Sequence, residues 1–227
     1  MALSAAIFVG EAREWVPELA ERARALRVGS GFDDATDVGP VISPRARARA
    51  EALIAAAAED GATLVLDGRG VVVRGYEAGN FVGPTVLYDA DAGRFARNRG
   101  YVAEIFAPVL GCTAVDTLDD AIAFTNASPY GNGCAIFTQS GAAARHYTHH
   151  VDVGQVGVNV PIPVPLPFFS FTGSRGSIRG DLHFYGKQGV QFYTQTKTVT
   201  SNWKLSESAA GSSLRSAMSM PTLGKKA

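Results

Sequence analysis

Cysteine is scarce in this chain: of 227 residues only Cys112 and Cys134 carry a thiol. Each lies inside an apolar run, the usage of reduced, buried thiols rather than of a disulfide framework, and it favours an intracellular compartment. Histidine is also sparse, with four in the chain. His146 and His150 share a helix face with His149 beside them, but no second cluster of His, Cys or acid residues completes a metal site, so none is expected. Charge of either sign is not in excess, with Lys plus Arg and Asp plus Glu both at 21, so neither nucleic acid nor an anionic membrane surface is an expected partner. No uninterrupted apolar run approaches the roughly 18 to 20 residues that cross a bilayer, and no basic region precedes an apolar one at the amino terminus.

Against these absences stand 46% hydrophobic and 19% charged residues, the composition of a globular chain able to bury a sizeable core. Met1 to Val9 is an apolar run suited to a buried helix or strand. A helix follows, starting between Glu11 and Pro17 and ending near Arg27, with Trp15, Leu19, Ala23 and Leu26 on one face. Ser43 as amino-terminal cap and Pro44 at the first helical position announce a second helix that stops at Gly61. Its alternating arginines read as a solvated face, since no Gly-rich phosphate loop precedes them. "ATLVLDG" and "GVVVRG", separated by "DGRG", predict a hairpin. Strand-like runs follow at 85–88, 109–115, 135–138 and 156–160. Helices start after Thr117, with Asp119 and Asp120 in the first turn, and near Gly141. Strands alternating with helices predict an α/β fold with an open, mainly parallel sheet covered on both faces. Ligands in such sheets bind at the carboxyl ends of the strands, where the segment from Glu104 to Pro108 and the loop after Val160 are expected. From Gly189, "VQFYTQTKTVTSNW" alternates as a long strand, either an edge of its own sheet or an arm that pairs with a neighbouring subunit; an exposed edge that long favours the arm.

The most irregular stretch is "VGQVGVNVPIPVPLPFFSFTGSRGSIRGD", with Pro161, Pro163, Pro165 and Pro167 at every second position. Each proline fixes its own φ and drives the preceding residue out of the helical region, so the segment is extended and is not a central strand. Phe168, Phe169 and Phe171 argue against a solvated linker. A core-capping loop and a functional loop both satisfy these residues alone.

The string "GQVGVNVPIPVPLPFFSFTGS" resembles the signature of methylmalonate-semialdehyde dehydrogenases, the CoA-acylating branch of the aldehyde dehydrogenase superfamily. "VGPVIS", "GNFVGPTVL", "AEIFAPVL", "NASPYGNGCAIFT" and "YGKQGVQFYTQTKTVTSNW" are similar to that family in the same order, over residues 1 to about 205. The resemblance implies the catalytic domain of the aldehyde dehydrogenase fold as a partial domain over 1–180. It further implies a return segment toward a cofactor domain over 181–193, an oligomerisation strand over 194–204 and, with the small, polar residues that follow, a mobile tail over 205–227.

It also implies NAD as cofactor, coenzyme A as acyl acceptor, and oxidation of methylmalonate or malonate semialdehyde to propionyl- or acetyl-CoA, as in valine and pyrimidine catabolism. Glu104 matches the glutamate that accepts hydrogen bonds from the nicotinamide-ribose hydroxyls, and Phe106 the aromatic beside that ribose. The family pattern Glu-Glu-Ile-Phe-Gly-Pro is altered by Ala103 and Ala107. Asn159 matches a position at the active-site floor, while Phe171, with Phe168 or Phe169, matches the wall of the substrate tunnel. Gly173, Ser174, Arg175 and Arg179 invite a proposal of carboxylate binding, which a surface ion pair explains equally well for Arg179.

In the family, the segment similar to "MALSAAIFVGEA" directly follows a Gly-Gln-x-Cys motif that carries the nucleophile. The thiol is therefore expected to precede Met1, and no catalytic residue is assigned to this chain. Two functions compete: part of an NAD-dependent, acylating dehydrogenase, inactive by itself, or a non-catalytic chain that assembles with full-length subunits and modulates them. A homo-oligomer formed through the segment from Thr194 to Trp203 is expected, in the mitochondrial matrix or, alternatively, bacterial cytoplasm.

Overall fold

A computed structural model of the chain describes residues 3–203. Residues 3–193 belong to one compact unit and residues 194–203 to a second. The tail expected over 205–227 lies outside the described residues.

The opening apolar run is strand β1, Ala5–Val9, followed by a 3₁₀ turn, Gly10–Trp15, and helix α1, Val16–Arg24. Pro17 is accommodated in the first turn, where its missing N–H removes no helical bond. The buried face differs from the expected one. Val16 and Ala20 are buried, with Leu19 and Ala23 beside the core, while Trp15 is 64% exposed and Leu26 43% exposed. Trp15 belongs to the 3₁₀ turn, whose period is not that of the helix, and Leu26 lies beyond the helix end.

Helix α2, Pro44–Glu59, begins as the sequence predicts: the Ser43 hydroxyl accepts from the Ala46 N–H at 3.1 Å. Strand β2, Thr63–Leu66, runs antiparallel to β3, Thr85–Asp89, and the expected partner "GVVVRG" forms no strand. Closure of the chain at Gly68 and Gly83 explains this. The Gly83 N–H donates to the Gly68 carbonyl at 2.8 Å, and the Gly68 N–H donates to Thr85 Oγ1 at 3.0 Å. A Cβ on Gly68 would stand 2.0 Å from the Gly83 oxygen, so only glycine permits this approach, and residues 69–82 are left as a loop.

After short helices α3, Ala92–Phe95, and α4, Arg99–Val102, comes β4, Val109–Val115, which pairs in parallel with both β1 and β3. The resulting sheet has the order β1-β4-β3-β2. Strand alternation splits its side chains between two faces. Val86 and Cys112 pack with Ala20 of α1, whereas Leu87 and Val109 pack with Ala50, Ile54 and Ala57 of α2. Helix α5, Leu118–Ala127, starts in a Thr117–Asp120 capping box, and α6, Gly141–His150, matches the expected helix. Strands β5, Gly133–Ile136, and β6, Gln155–Val158, pair in parallel as a separate ladder, with Cys134, Ile136 and Val156 against Ile122 of α5 and Tyr147 of α6. The parallel strands thus form two ladders rather than one continuous sheet.

The run from Gly189 departs from the expected strand. Residues Gln188–Phe192 form a short helix, α7, and residues 194–203 form no strand. Gln188 is held from outside by Ser170 Oγ at 2.6 Å and by His183 Nδ1, which favours a compact turn there over an extended backbone.

Asp89, at the end of β3, is 1% exposed and is met by Arg94 Nε and Nη2, both at 2.7 Å. Burial alone would raise its carboxyl, but the Arg94 bonds, the Asp91 N–H and the Arg94 charge outweigh it, so the group sits below its usual value. The unfolded carboxyl ionises near pH ~3.9, so this contribution is complete above that pH and is lost as pH falls through the lower, folded value. Asp89→Asn is expected to lower the melting temperature at pH 7 by about 3–12 °C, from a charged hydrogen bond of about 1.5–3 kcal/mol. Thermal scans against pH should show the gap to the parent chain closing below about pH 4.

Candidate active site

Glu104 and Phe106 occupy the loop between α4 and β4, and their exposure alternates with burial. Glu104 and Phe106 are exposed, whereas Ile105 between them is 9% exposed and packs in the cluster under α2. Phe106 has φ +58°, a left-handed backbone uncommon for an aromatic residue, and its ring is 80% exposed. Ala107, where the family pattern has glycine, carries no positive φ, and its methyl packs against the same core cluster, so the Cβ is accommodated. Three backbone contacts fix the loop: the Ile105 carbonyl accepts from Arg49 Nη1 at 2.9 Å, the Thr85 N–H donates to the Pro108 carbonyl at 2.9 Å, and the Val109 N–H donates to the Ala107 carbonyl at 2.7 Å. The Glu104 carboxylate has no hydrogen bond or ion pair among the described residues.

This loop enters β4 at its amino end, beside the start of β3, so the expectation that it lies at the carboxyl ends of the strands is corrected. The proline-rich segment does leave from a carboxyl end, that of β6. Asn159, just after β6, has φ +56°. Its Oδ1 accepts from the Thr138 N–H at 2.9 Å and its Nδ2 donates to the Thr138 carbonyl at 3.1 Å, while its own N–H donates to Ile136 at 2.8 Å. The amide therefore extends the β5–β6 pairing by one residue and holds the start of the proline loop.

The three phenylalanines separate. Phe171 stacks on Phe184 at 5.5 Å and meets Tyr185 edge-on at 5.7 Å, in a ring cluster that continues to Phe192 and Tyr193. Phe168 and Phe169 are 81% and 63% exposed. Gly186, at φ +63°, donates its N–H to the Pro167 carbonyl and lets the return chain pass where a Cβ would stand 2.6 Å from the Phe168 oxygen. Arg175 is committed inward: Nη2 donates to the Tyr130 carbonyl at 2.7 Å, and Nη1 reaches Asp152 at 3.3 Å and the Asn126 carbonyl at 3.4 Å. It ties the loop to the end of α5 and is not available as a receptor for a substrate carboxylate.

Neither thiol has the setting of a nucleophile. Cys112 is fully buried in β4, and burial pushes it up to about 12. Cys134 is also raised by burial, with partial relief from the Tyr147 hydroxyl and the Arg175 charge. A catalytic thiol requires the opposite shift. His146 is paired with Asp119 at 2.5 Å, and His150 Nδ1 lies 2.8 Å from the His146 carbonyl.

The sequence matches the aldehyde dehydrogenase family over residues 4–199. The chain belongs to that family. A bovine relative, the mitochondrial methylmalonate-semialdehyde/malonate-semialdehyde dehydrogenase [acylating], is 56% identical over 99% of this chain, and a similarly named, probable enzyme of Dictyostelium discoideum is 58% identical over 99%. The chain spans 41% and 42% of their respective lengths, so these relatives are more than twice as long. Among solved structures, a methylmalonate-semialdehyde dehydrogenase from Oceanimonas doudoroffii superposes with a TM-score of 0.82 at 40% identity, over 90% of this chain and 42% of that one. A Mycobacterium tuberculosis aldehyde dehydrogenase complexed with NAD+ superposes at 0.73 with 32% identity, over 85% of this chain and 38% of that one.

Arg49 is the residue that sequence reading missed, because arginines alternating along α2 looked like a solvated face. Arg45 and Arg49 are indeed exposed and Arg47 is half-buried, yet Arg47 and Arg49 also reach backbone carbonyls, of Gly79 at 3.1 Å and Ile105 at 2.9 Å. With Cys112 raised to about 12, its thiolate fraction at pH 8 is on the order of 10⁻⁴. Mass-spectrometric alkylation with iodoacetamide at pH 8 is therefore expected to leave Cys112 unlabelled in the folded chain, to label Cys134 slowly, and to label both rapidly in denaturant.

Proposed function

We propose that this chain supplies the cofactor clasp and part of the substrate wall of an NAD-dependent, CoA-acylating semialdehyde dehydrogenase, acting on methylmalonate or malonate semialdehyde to give propionyl- or acetyl-CoA. The observation that carries the reading is the Glu104–Phe106 pair: an unpartnered carboxylate and an exposed ring flank a buried anchor on a backbone-locked loop. A carboxylate suits vicinal ribose hydroxyls because its two oxygens accept both protons at once. Phe106 offers an apolar flank to the same sugar, so the residues fit a nicotinamide riboside. When bound, NAD supplies the hydride acceptor.

The remaining assignments follow the same reading. Asn159 holds the floor through Thr138, and Phe171 with the exposed Phe168 and Phe169 lines the aldehyde's path. The thiol that attacks the aldehyde comes from residues outside the 227, since Cys112 is buried, Cys134 half-buried, and burial raises both. Residues 194–203 serve as an arm that becomes a strand only against a neighbouring subunit, consistent with Thr at every second position from 194 to 200 and with their exposure. Relatives with mitochondrial names favour the mitochondrial matrix.

A second reading, a non-catalytic chain that assembles with full-length subunits, is favoured by the long series of exposed apolar side chains from Val158 through Phe169 and on to Trp203. Incubating the purified chain with NAD, coenzyme A and methylmalonate semialdehyde tests the first reading. No NADH above background is expected from the chain alone, and turnover is expected once it is joined behind the upstream part of the bovine relative, cysteine included. Turnover by the chain alone, or a covalent acyl adduct on Cys112 or Cys134, contradicts it.

A further inference from the structure

We infer that Arg49 is a positioning residue for cofactor binding, acting through the carbonyl of Ile105. The inference rests on the proposal that Glu104 and Phe106 clasp the nicotinamide ribose. Ile105 is fixed at two points by the same helix. Its side chain packs in the cluster formed with Ala50, Ile54 and Ala57 of α2, and its carbonyl accepts from Arg49 Nη1 at 2.9 Å, across 56 positions of sequence. The side-chain contact sets how deep Ile105 sits. It does not fix rotation of the peptide plane that links Ile105 to Phe106, and that rotation aims both flanking residues.

Arg49 supplies the missing constraint. A guanidinium on a carbonyl is a charge-assisted bond, stronger than a neutral one, and it locks the plane on the side that leaves Phe106 at φ +58°. A left-handed aromatic residue is disfavoured and persists only where its surroundings hold it. Thr85 and the Ala107–Val109 contact secure the loop beyond Phe106, but on the Ile105 side Arg49 makes the one side-chain hydrogen bond to the loop's backbone recorded among the described residues. Released, the loop would keep Ile105 buried while Glu104 and Phe106 sample other directions. The carboxylate would then spend most of its time away from the ribose, and affinity for the cofactor would drop by the fraction of competent loops.

Two measurements test this. Hydrogen exchange on the 227-residue chain is expected to rise about tenfold at residues 104–107 in Arg49→Ala, to return most of the way in Arg49→Lys, and to stay unchanged in β4. In the fusion with the bovine upstream part, titration with NAD should show Kd raised about tenfold by Arg49→Ala and partly restored by Arg49→Lys, while the KM for the semialdehyde stays near the parent's. Glu104→Gln serves as the reference. If Glu104→Gln weakens NAD and Arg49→Ala does not, the positioning role is wrong and the clasp stands. If Glu104→Gln leaves NAD affinity unchanged, the clasp itself is wrong, whatever Arg49 does to the loop. Unchanged exchange at residues 104–107 in Arg49→Ala also overturns the inference.

Discussion

The burial of Ile105 between two exposed neighbours is the constraint on which the candidate site depends. One apolar side chain inserted under α2, worth about 1.5–3 kcal/mol of transfer free energy, forces the residues on either side to face outward. That anchor is firm only because what lies beneath it is firm. β4 is clamped in parallel between β1 and β3, with Cys112 against α1 and Val109 against α2, so the loop entering it has a fixed end. A functional loop on a rigid scaffold keeps its side chains within the small tolerances that recognition demands.

Local signals in the sequence carried much of this architecture. The Ser43–Pro44 start, the Thr117–Asp120 box and the β-branched run at 109–115 are decided by neighbours within a few residues, so they were legible. Features set by distant parts of the chain were not. Nothing near "GVVVRG" reveals that Gly68 will meet Gly83 and exclude it from the sheet. The α1 face was misread because a 3₁₀ turn before Pro17 shifts Trp15 out of helical register. The run after Gly189 alternates like a strand, yet Gln188 is captured by Ser170 and His183, and the backbone coils there instead.

The candidate site divides in the same way. Glu104, Phe106, Asn159 and the phenylalanines of the proline loop could be named from motif resemblance, but their setting could not. The positive φ values at Phe106 and Asn159 and the engagement of both Asn159 amide atoms by Thr138 are tertiary facts. So is Arg49, which in sequence is one arginine of an alternating series and in the fold reaches a carbonyl 56 positions away.

The most direct test of the clasp is a crystal structure of this chain, fused behind the upstream part of the bovine relative, with NAD bound. The account predicts both nicotinamide-ribose hydroxyls within about 2.5–3.2 Å of the Glu104 carboxylate oxygens and the Phe106 ring against the same sugar. A nicotinamide ribose bound away from residues 104–106, with Glu104 still free in solvent, would contradict it.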